Sequence, residues 1–184
     1  MTAVAVPVRA PTVHDITEFE TAGPWPSKSG GELCVLTHLS GDSVMGIPLM
    51  PTASSFFHYD SDELDRSSRQ LPGLRKYTVR GIPTGRVGGT EFHRVRQEMV
   101  FGLEGRVRWQ CEDLFGEKRE WVITPDNGIW MPPFILHTYH ALEPGSGLLV
   151  IANTRFDIAD PKMRDSYPRE EFQALQAEYQ ENHR

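Results

Sequence analysis

Glu91-Phe92-His93-Arg94-Val95-Arg96-Gln97-Glu98, followed by Gly105, is the stretch on which the reading of this chain turns. In a β-strand, positions 91 and 93 point to one face. Glu98 lies at odd spacing from both. It reaches that face only across a bend or bulge, or from a neighbouring strand. A second stretch, Trp130-Met131-Pro132-Pro133-Phe134-Ile135-Leu136-His137, brings His137 from a later strand. Convergence of these side chains inside a barrel would give two imidazoles and two carboxylates.

Two chemistries fit that set. The first is metal binding: His93, Glu98 and His137 have the composition of a two-histidine, one-carboxylate triad with open positions for substrate or oxygen, and Glu91 is a candidate fourth ligand. Iron, manganese, nickel or zinc would serve. The second is proton transfer without metal. Two carboxylates in one dry cavity cannot both ionise cheaply, and a Glu or His tuned in that way is a good base for a proton beside a carbonyl. A lone His or Glu in a strand is ordinarily a surface or satisfied polar residue. The joint spacing Glu-x-His-x4-Glu-x6-Gly, with a later Pro-x4-His, is what points to a site.

The flanking sequence reads as β-structure. Tyr77-Thr78-Val79, Met99-Val100-Phe101, Val107-Arg108-Trp109, Trp121-Val122-Ile123, Ile129-Trp130-Met131 and Leu148-Leu149-Val150-Ile151 are short β-branched or aromatic runs separated by turn signals, as in an antiparallel sandwich or barrel. Pro168 suits a first helical turn, and Phe172, Leu175 and Tyr179 at helical spacing predict a C-terminal helix within 166–184 that packs on the sheet. Residues 1–30, rich in Pro, Thr, Ser and Gly, predict an extended arm with little core of its own, expected to cross to a partner subunit in a homodimer. Residues 31–165 make the domain, with a long loop over about 40–72. Within it, Asp60, Asp62, Glu63 and Asp65 read as a solvated acidic run.

With 184 residues, 39% hydrophobic and 24% charged, the chain can build one domain core without disulfides. A net charge of −6 disfavours nucleic acid and anionic membrane as partners. No apolar run approaches the roughly 20 residues of a spanning helix, and the short N-terminal apolar stretch lacks the features of a signal peptide. Two cysteines, Cys34 and Cys111, make no disulfide framework, so a reducing cytoplasm is the expected compartment.

Other side chains join the candidate list. Arg94 and Arg96 share parity, which predicts a shared face; with Arg75, Arg80 and Arg86 they suit an anionic substrate. Tyr139 shares a face with His137 and is a candidate acid or hydrogen-bond donor, while His140 faces away. Trp109, Trp121 and Trp130 read first as core. Tyr77 and Trp130 are also candidate substrate contacts.

The stretch from Arg86 to Gly105 resembles the first motif of the cupin superfamily, Gly-x5-His-x-His-x(3–4)-Glu-x6-Gly, with Glu91 in place of the first His. Gly128, Pro132 and His137 match its second motif in kind. Over residues 71–160 the chain is similar to the WxcM-like nucleotide-sugar 3,4-ketoisomerases. Gly88-Gly89-Thr90-Glu91-Phe92-His93-Arg94 lies over their Arg-Gly-x-His-Ala-His-Lys. Gly128-Ile129-Trp130-Met131-Pro132-Pro133, with Leu136-His137, lies over their Gly-Leu-x-x-x-Pro-x-x-Trp-His. The resemblance implies an all-β cupin β-sandwich, or jelly-roll barrel, that forms a dimer. It further implies action on a deoxythymidine-diphosphate 4-keto-6-deoxy sugar, with a histidine of the His-x-His pair moving a proton between carbons 3 and 4 through an enediol and no metal. The chain departs from the family at Gly88 (Arg), Glu91 (His), Glu98 (Gln) and Leu136 (Trp).

The leading expectation is therefore a cupin isomerase acting beside a carbonyl, with Glu91 or His93 as base and His137 and Tyr139 as acid or orienting groups. A metal-dependent cupin, an iron oxygenase or a metal-assisted lyase or isomerase using Glu91, His93, Glu98 and His137, is the alternative. A third is a cupin that binds a small ligand without turnover.

Overall fold

The structure, a computed structural model, describes residues 6–7, 9–37, 43–44, 47–48, 56–67, 71–156, 159 and 165–183. After a 3-10 turn at Val13–Asp15 the strands are β1 (Thr17–Glu18), β2 (Glu20–Pro26), β3 (Glu32–Thr37), β4 (Ser43–Val44) and β5 (Ile47–Pro48). Helix α1 (Ser61–Ser67) precedes β6 (Pro72–Ile82), β7 (Val87–Phe92), β8 (Glu98–Glu104), β9 (Val107–Glu112) and β10 (Lys118–Ile123). Then come β11 (Gly128–Met131), β12 (Leu136–Ala141), β13 (Ser146–Thr154), β14 (Tyr167–Pro168) and α2 (Arg169–Asn182).

Period-two patterning makes the sheets. In β9, Val107, Trp109 and Cys111 are buried while Arg108 and Gln110 are exposed. Its antiparallel neighbour β10 buries Trp121 and Ile123 and exposes Lys118, Glu120 and Val122. Two five-stranded sheets result, ordered β1-β11-β8-β13-β6 and β10-β9-β12-β7-β14. Val100, Val107, Trp109, Ile123, Ile129, Ile135, Leu148 and Val150 form one core cluster with residues of both sheets. This is the expected all-β sandwich, and each of the six predicted runs lies in a strand. The predicted helix is present as well. Phe172, Leu175 and Tyr179 of α2 pack with Phe92, Leu114 and Leu136 in a second cluster. None of the described helices is long and apolar enough to cross a membrane.

Two expectations are corrected. Residues 1–30 are not an arm without packed elements: Val13 and Ile16 are 1% and 2% exposed and belong to the main core. Thr12 and Asp15 cap the 3-10 turn reciprocally, the Val13 N–H donates to Asp113 Oδ2 at 2.9 Å, and β1 adds to the sheet beside β11. Two apolar residues across one short turn carry no periodicity to read. Within this region β2, which pairs with β3, is what remains largely exposed. The acidic run is not wholly solvated either. It lies on and before α1, where Glu63 is 3% exposed and paired with Arg94 at 2.9 Å. The rest of the 40–72 loop lies mostly outside the described residues.

Candidate active site

The site is built where β7 leaves its sheet. In the β7–β12 ladder His137 pairs with Glu91 and Thr138 with Gly89, so Thr90 is an extra, unpaired residue. Its φ of 68° is unusual for a β-branched side chain and marks a bulge. Beyond it Glu91 stands opposite His137. The chain then runs through residues 93–97 as an irregular buried segment before β8 begins at Glu98. That segment is the bend that Glu98 needs.

Asp165 holds the bend. Its carboxylate accepts the backbone N–H groups of Arg94 (3.1 Å), Val95 (2.9 Å) and Arg96 (2.7 Å). Its own carbonyl accepts the Nδ1 proton of His93 at 2.6 Å. Carbonyls only accept, so His93 carries its proton on Nδ1 and turns an Nε2 lone pair inward. His137 is set the same way, Nδ1 donating to the Ile135 carbonyl at 3.3 Å. The two rings lie 5.0 Å apart. Burial first, then His93, lowers the pKa of His137 to about 4, so it is neutral at physiological pH.

Glu98 is 1% exposed and anchors the floor. Its Oε1 accepts from the Tyr77 hydroxyl at 2.9 Å and from Arg96 Nη1 at 3.2 Å. The same Nη1 donates to His93 Nε2 at 3.2 Å, so the guanidinium bridges the imidazole and the carboxylate, whose own contact is 3.6 Å. Burial raises the Glu98 carboxyl, but His93 and Arg96 outweigh it and hold it well below the usual carboxylate range. Burial also pushes the Tyr77 phenol up, which keeps it a donor.

Glu91 opens onto a cavity of about 540 Å³ lined by Arg75, Lys76, Tyr77, Arg96, Phe156 and Ser166. The Ser166 hydroxyl donates to Glu91 Oε2. Burial raises the Glu91 carboxyl, but His93, Ser166, His137 and Arg96 together hold it below its ordinary value, so it is ionised. Arg75 lies against the Tyr77 ring (5.6 Å) and the Phe156 ring (5.3 Å), giving the cavity a wall that is both cationic and aromatic.

Of the expected site residues, Glu91, His93, His137, Glu98, Arg96 and Tyr77 come together. Arg94 does not: it turns to Glu63 and lies over the Phe134 ring at 5.3 Å. The shared-face expectation for Arg94 and Arg96 fails because residues 93–97 are a turn, and parity holds only in a strand. Trp130 is half-buried and donates from Nε1 to Gln97 Oε1 at 3.1 Å, outside the cavity lining. Tyr139 stacks on Trp109 at 5.7 Å, and Trp109 stacks on His137 at 5.2 Å. The Tyr139 ring covers Gly88 so closely that a Cβ there would meet its Cζ at 2.1 Å. His140 lines a separate cavity of about 460 Å³ with Gln110, Glu112 and Thr138, away from the site. Lys76, Phe156, Asp165 and Ser166 were not legible; the last three lie in or beside irregular chain between β13 and β14.

Glu91, His93 and His137 each offer one donor atom, all within 4.8 Å of one another. Both Nδ1 atoms are fixed on carbonyls, as in many metal sites. Glu98, the expected carboxylate of the triad, is outside that group, where Glu91, the expected fourth ligand, stands in its place, and the lone pair of His93 is taken by Arg96. A guanidinium only donates. As arranged, the donor set does not fit a cation.

Known proteins place these observations. No curated protein matches the chain. Among solved structures it is similar to QdtA, a sugar 3,4-ketoisomerase from Thermoanaerobacterium thermosaccharolyticum in complex with TDP, at 13% identity and TM-score 0.53 over 90% of this chain and 94% of that one. It is also similar to WlaRA, a TDP-fucose 3,4-ketoisomerase from Campylobacter jejuni, at 15% identity and TM-score 0.53 over 88% and 93%. A dTDP-4-dehydrorhamnose 3,5-epimerase from Bacillus anthracis aligns at 10% identity and TM-score 0.50 over 82% and 81%. At these identities the likeness is one of fold. The profile of the WxcM-like, C-terminal (FdtA) family matches residues 69–174, the stretch that carries both histidines, Glu91 and most of the cavity wall, and the chain belongs to that family.

Proposed function

We propose that the chain is an isomerase that moves a proton beside the carbonyl of a nucleotide-linked keto sugar, with Glu91 as the base. The observation that carries this reading is an ionised carboxylate facing a cavity whose wall combines Arg75, Lys76 and Arg96 with Tyr77 and Phe156. Guanidinium and ammonium groups suit a diphosphate, and aromatic rings suit a nucleobase. The structural neighbours bear TDP or act on TDP-sugars, which makes a TDP-linked 4-keto-6-deoxy sugar the first substrate to try.

Glu91 replaces His93 as the expected base because His93 has no free nitrogen: Nδ1 is committed to Asp165 and Nε2 to Arg96. Neutral His137 keeps an Nε2 lone pair that can accept from a sugar hydroxyl. The phenol of Tyr139, kept protonated by burial and by Glu91, is a donor at the margin of the site. In a homodimer, the exposed β2–β3 hairpin is the segment that would cross to a partner; sedimentation of the purified chain tests that.

The experiment is incubation with TDP-4-keto-6-deoxyglucose in heavy water. The 3-keto isomer should form with deuterium at carbon 4, and recovered 4-keto substrate should carry deuterium at carbon 3. Glu91→Gln should slow both by a factor of roughly 10²–10⁴. Tight binding of TDP without exchange for any 4-keto sugar nucleotide would make this a ligand-binding protein instead.

A further inference from the structure

We propose that Arg96 is the resident cation of this site: its guanidinium holds the point that a divalent metal would occupy and stabilises the substrate oxyanion in its stead. Two imidazoles with inward-facing Nε2 atoms and the Glu91 carboxylate lie within 4.8 Å of one another, and Glu98 sits just behind. In a two-histidine, one-carboxylate centre such a set would surround a metal. Here the positive charge comes from the chain itself. Nη1 of Arg96 lies 3.2 Å from His93 Nε2 and 3.2 Å from Glu98 Oε1, and the residue is 4% exposed.

The backbone that carries this guanidinium is held as well. The Arg96 N–H donates to Asp165 Oδ2 at 2.7 Å, and the carbonyl of that same Asp165 orients His93. Anchor and partner are thus fixed by one residue. Arg96 also lines the cavity beside Glu91, so it can reach a ligand there. Glu98, whose second oxygen Oε2 is buried with no hydrogen-bond partner among the described residues, supplies the counter-charge that makes a buried guanidinium tolerable.

The catalytic half of this inference rests on the proton-transfer reading; the metal half does not. In that reaction the proton on carbon 3 passes to a Glu91 oxygen. Its bonding pair becomes the double bond between carbons 3 and 4, and the carbonyl π pair moves onto oxygen 4, where Arg96 donates hydrogen bonds. The proton of the carbon-3 hydroxyl transfers to oxygen 4, and the pair left on oxygen 3 closes the new carbonyl. The double-bond pair then takes the proton back from Glu91 at carbon 4. Nothing is oxidised or reduced overall. Arg96 is a catalytic residue in this scheme, and Asp165 is its positioning residue.

The test titrates chelator-treated protein with Co²⁺ and Zn²⁺, following bound metal by mass spectrometry and the cobalt visible bands. The wild type should retain less than about 0.1 equivalent, whereas Arg96→Ala and Arg96→Gln should retain about one, lost again when His137→Ala is added. Circular dichroism checks that each variant is folded. One equivalent retained by the wild type, or none by both folded variants, overturns the proposal. In the exchange assay Arg96→Gln should lower kcat by about 10²–10³ with KM changed less than about threefold, and Arg96→Lys should recover part of the loss. A kcat within about threefold of wild type for Arg96→Gln overturns the catalytic half. No exchange by the wild type would instead sink the reaction reading, leaving the metal result to stand alone.

Discussion

Residues 93–97 and the β2–β3 hairpin make opposite use of the chain. The first has no regular secondary structure, yet four of its five residues are buried and the fifth, Gln97, is half-buried. Its main-chain groups are met by Asp165, by Asn153 Oδ1 (2.8 Å from the Gln97 N–H) and by the Phe134 N–H (2.7 Å from the His93 carbonyl). The hairpin is regular β-structure, yet it exposes Trp25 (48%) and Leu33 (49%) to solvent. Order here follows from buried backbone that finds partners, and regular hydrogen bonding is only one way to supply them. The irregular segment costs more to hold, and it is the one that carries His93 and Arg96.

Mutations can break or sharpen that contrast. The largest expected effect is at Glu63. Replacing it with alanine removes the carboxylate paired with buried Arg94 and should cost about 3–5 kcal/mol in urea unfolding; a loss below about 1 kcal/mol would mean that α1 does not support the bend. Asp165→Ala removes the acceptor of three buried N–H groups and should cost roughly 2–4 kcal/mol. The main-chain carbonyl that accepts the His93 Nδ1 proton survives this substitution, so the tautomer, read from imidazole nitrogen chemical shifts, should persist; a switch would show that the carboxylate cap also positions that carbonyl. Gly88→Ala drives a methyl into the Tyr139 ring and should cost about 1–3 kcal/mol, with the ring displaced from Trp109. Smallest is the hairpin: Trp25→Ser with Leu33→Ser should leave the stability of dilute protein within about 0.5 kcal/mol. A larger loss would show that the exposed face is covered in solution.

The strands were legible because β9, β10 and their neighbours alternate buried and exposed residues. The C-terminal helix was legible because Phe172, Leu175 and Tyr179 keep helical spacing on a core face. Glu91 and His93 were placed on one face by parity, and the odd spacing of Glu98 called for the bend that the structure contains. Parity then misled at Arg94, because it says nothing inside a turn. Asp165 and Ser166 left no signal, since their roles come from partners some seventy residues earlier in sequence, N–H groups for the Asp165 carboxylate and the Glu91 carboxylate for the Ser166 hydroxyl. The packing of Val13 and Ile16 is likewise a tertiary fact: one 3-10 turn is too short for any period to show.

Among the described residues, strand β6 is hydrogen-bonded to one strand, β13, at the edge of its sheet, and it supplies Arg75, Lys76 and Tyr77 to the cavity wall. Arg96 and His137 come from the bend and β12 and are buried, and half-buried Glu91 comes from β7. The cationic-aromatic wall and the imidazole-carboxylate cluster are therefore written in different parts of the chain. On β6, Lys76 is exposed and Arg75 half-buried, whereas Tyr77 packs against the main core and bonds Glu98. Arg75 and Lys76 can therefore be exchanged one edge residue at a time while the cluster of Arg96, His93 and His137 keeps its packing.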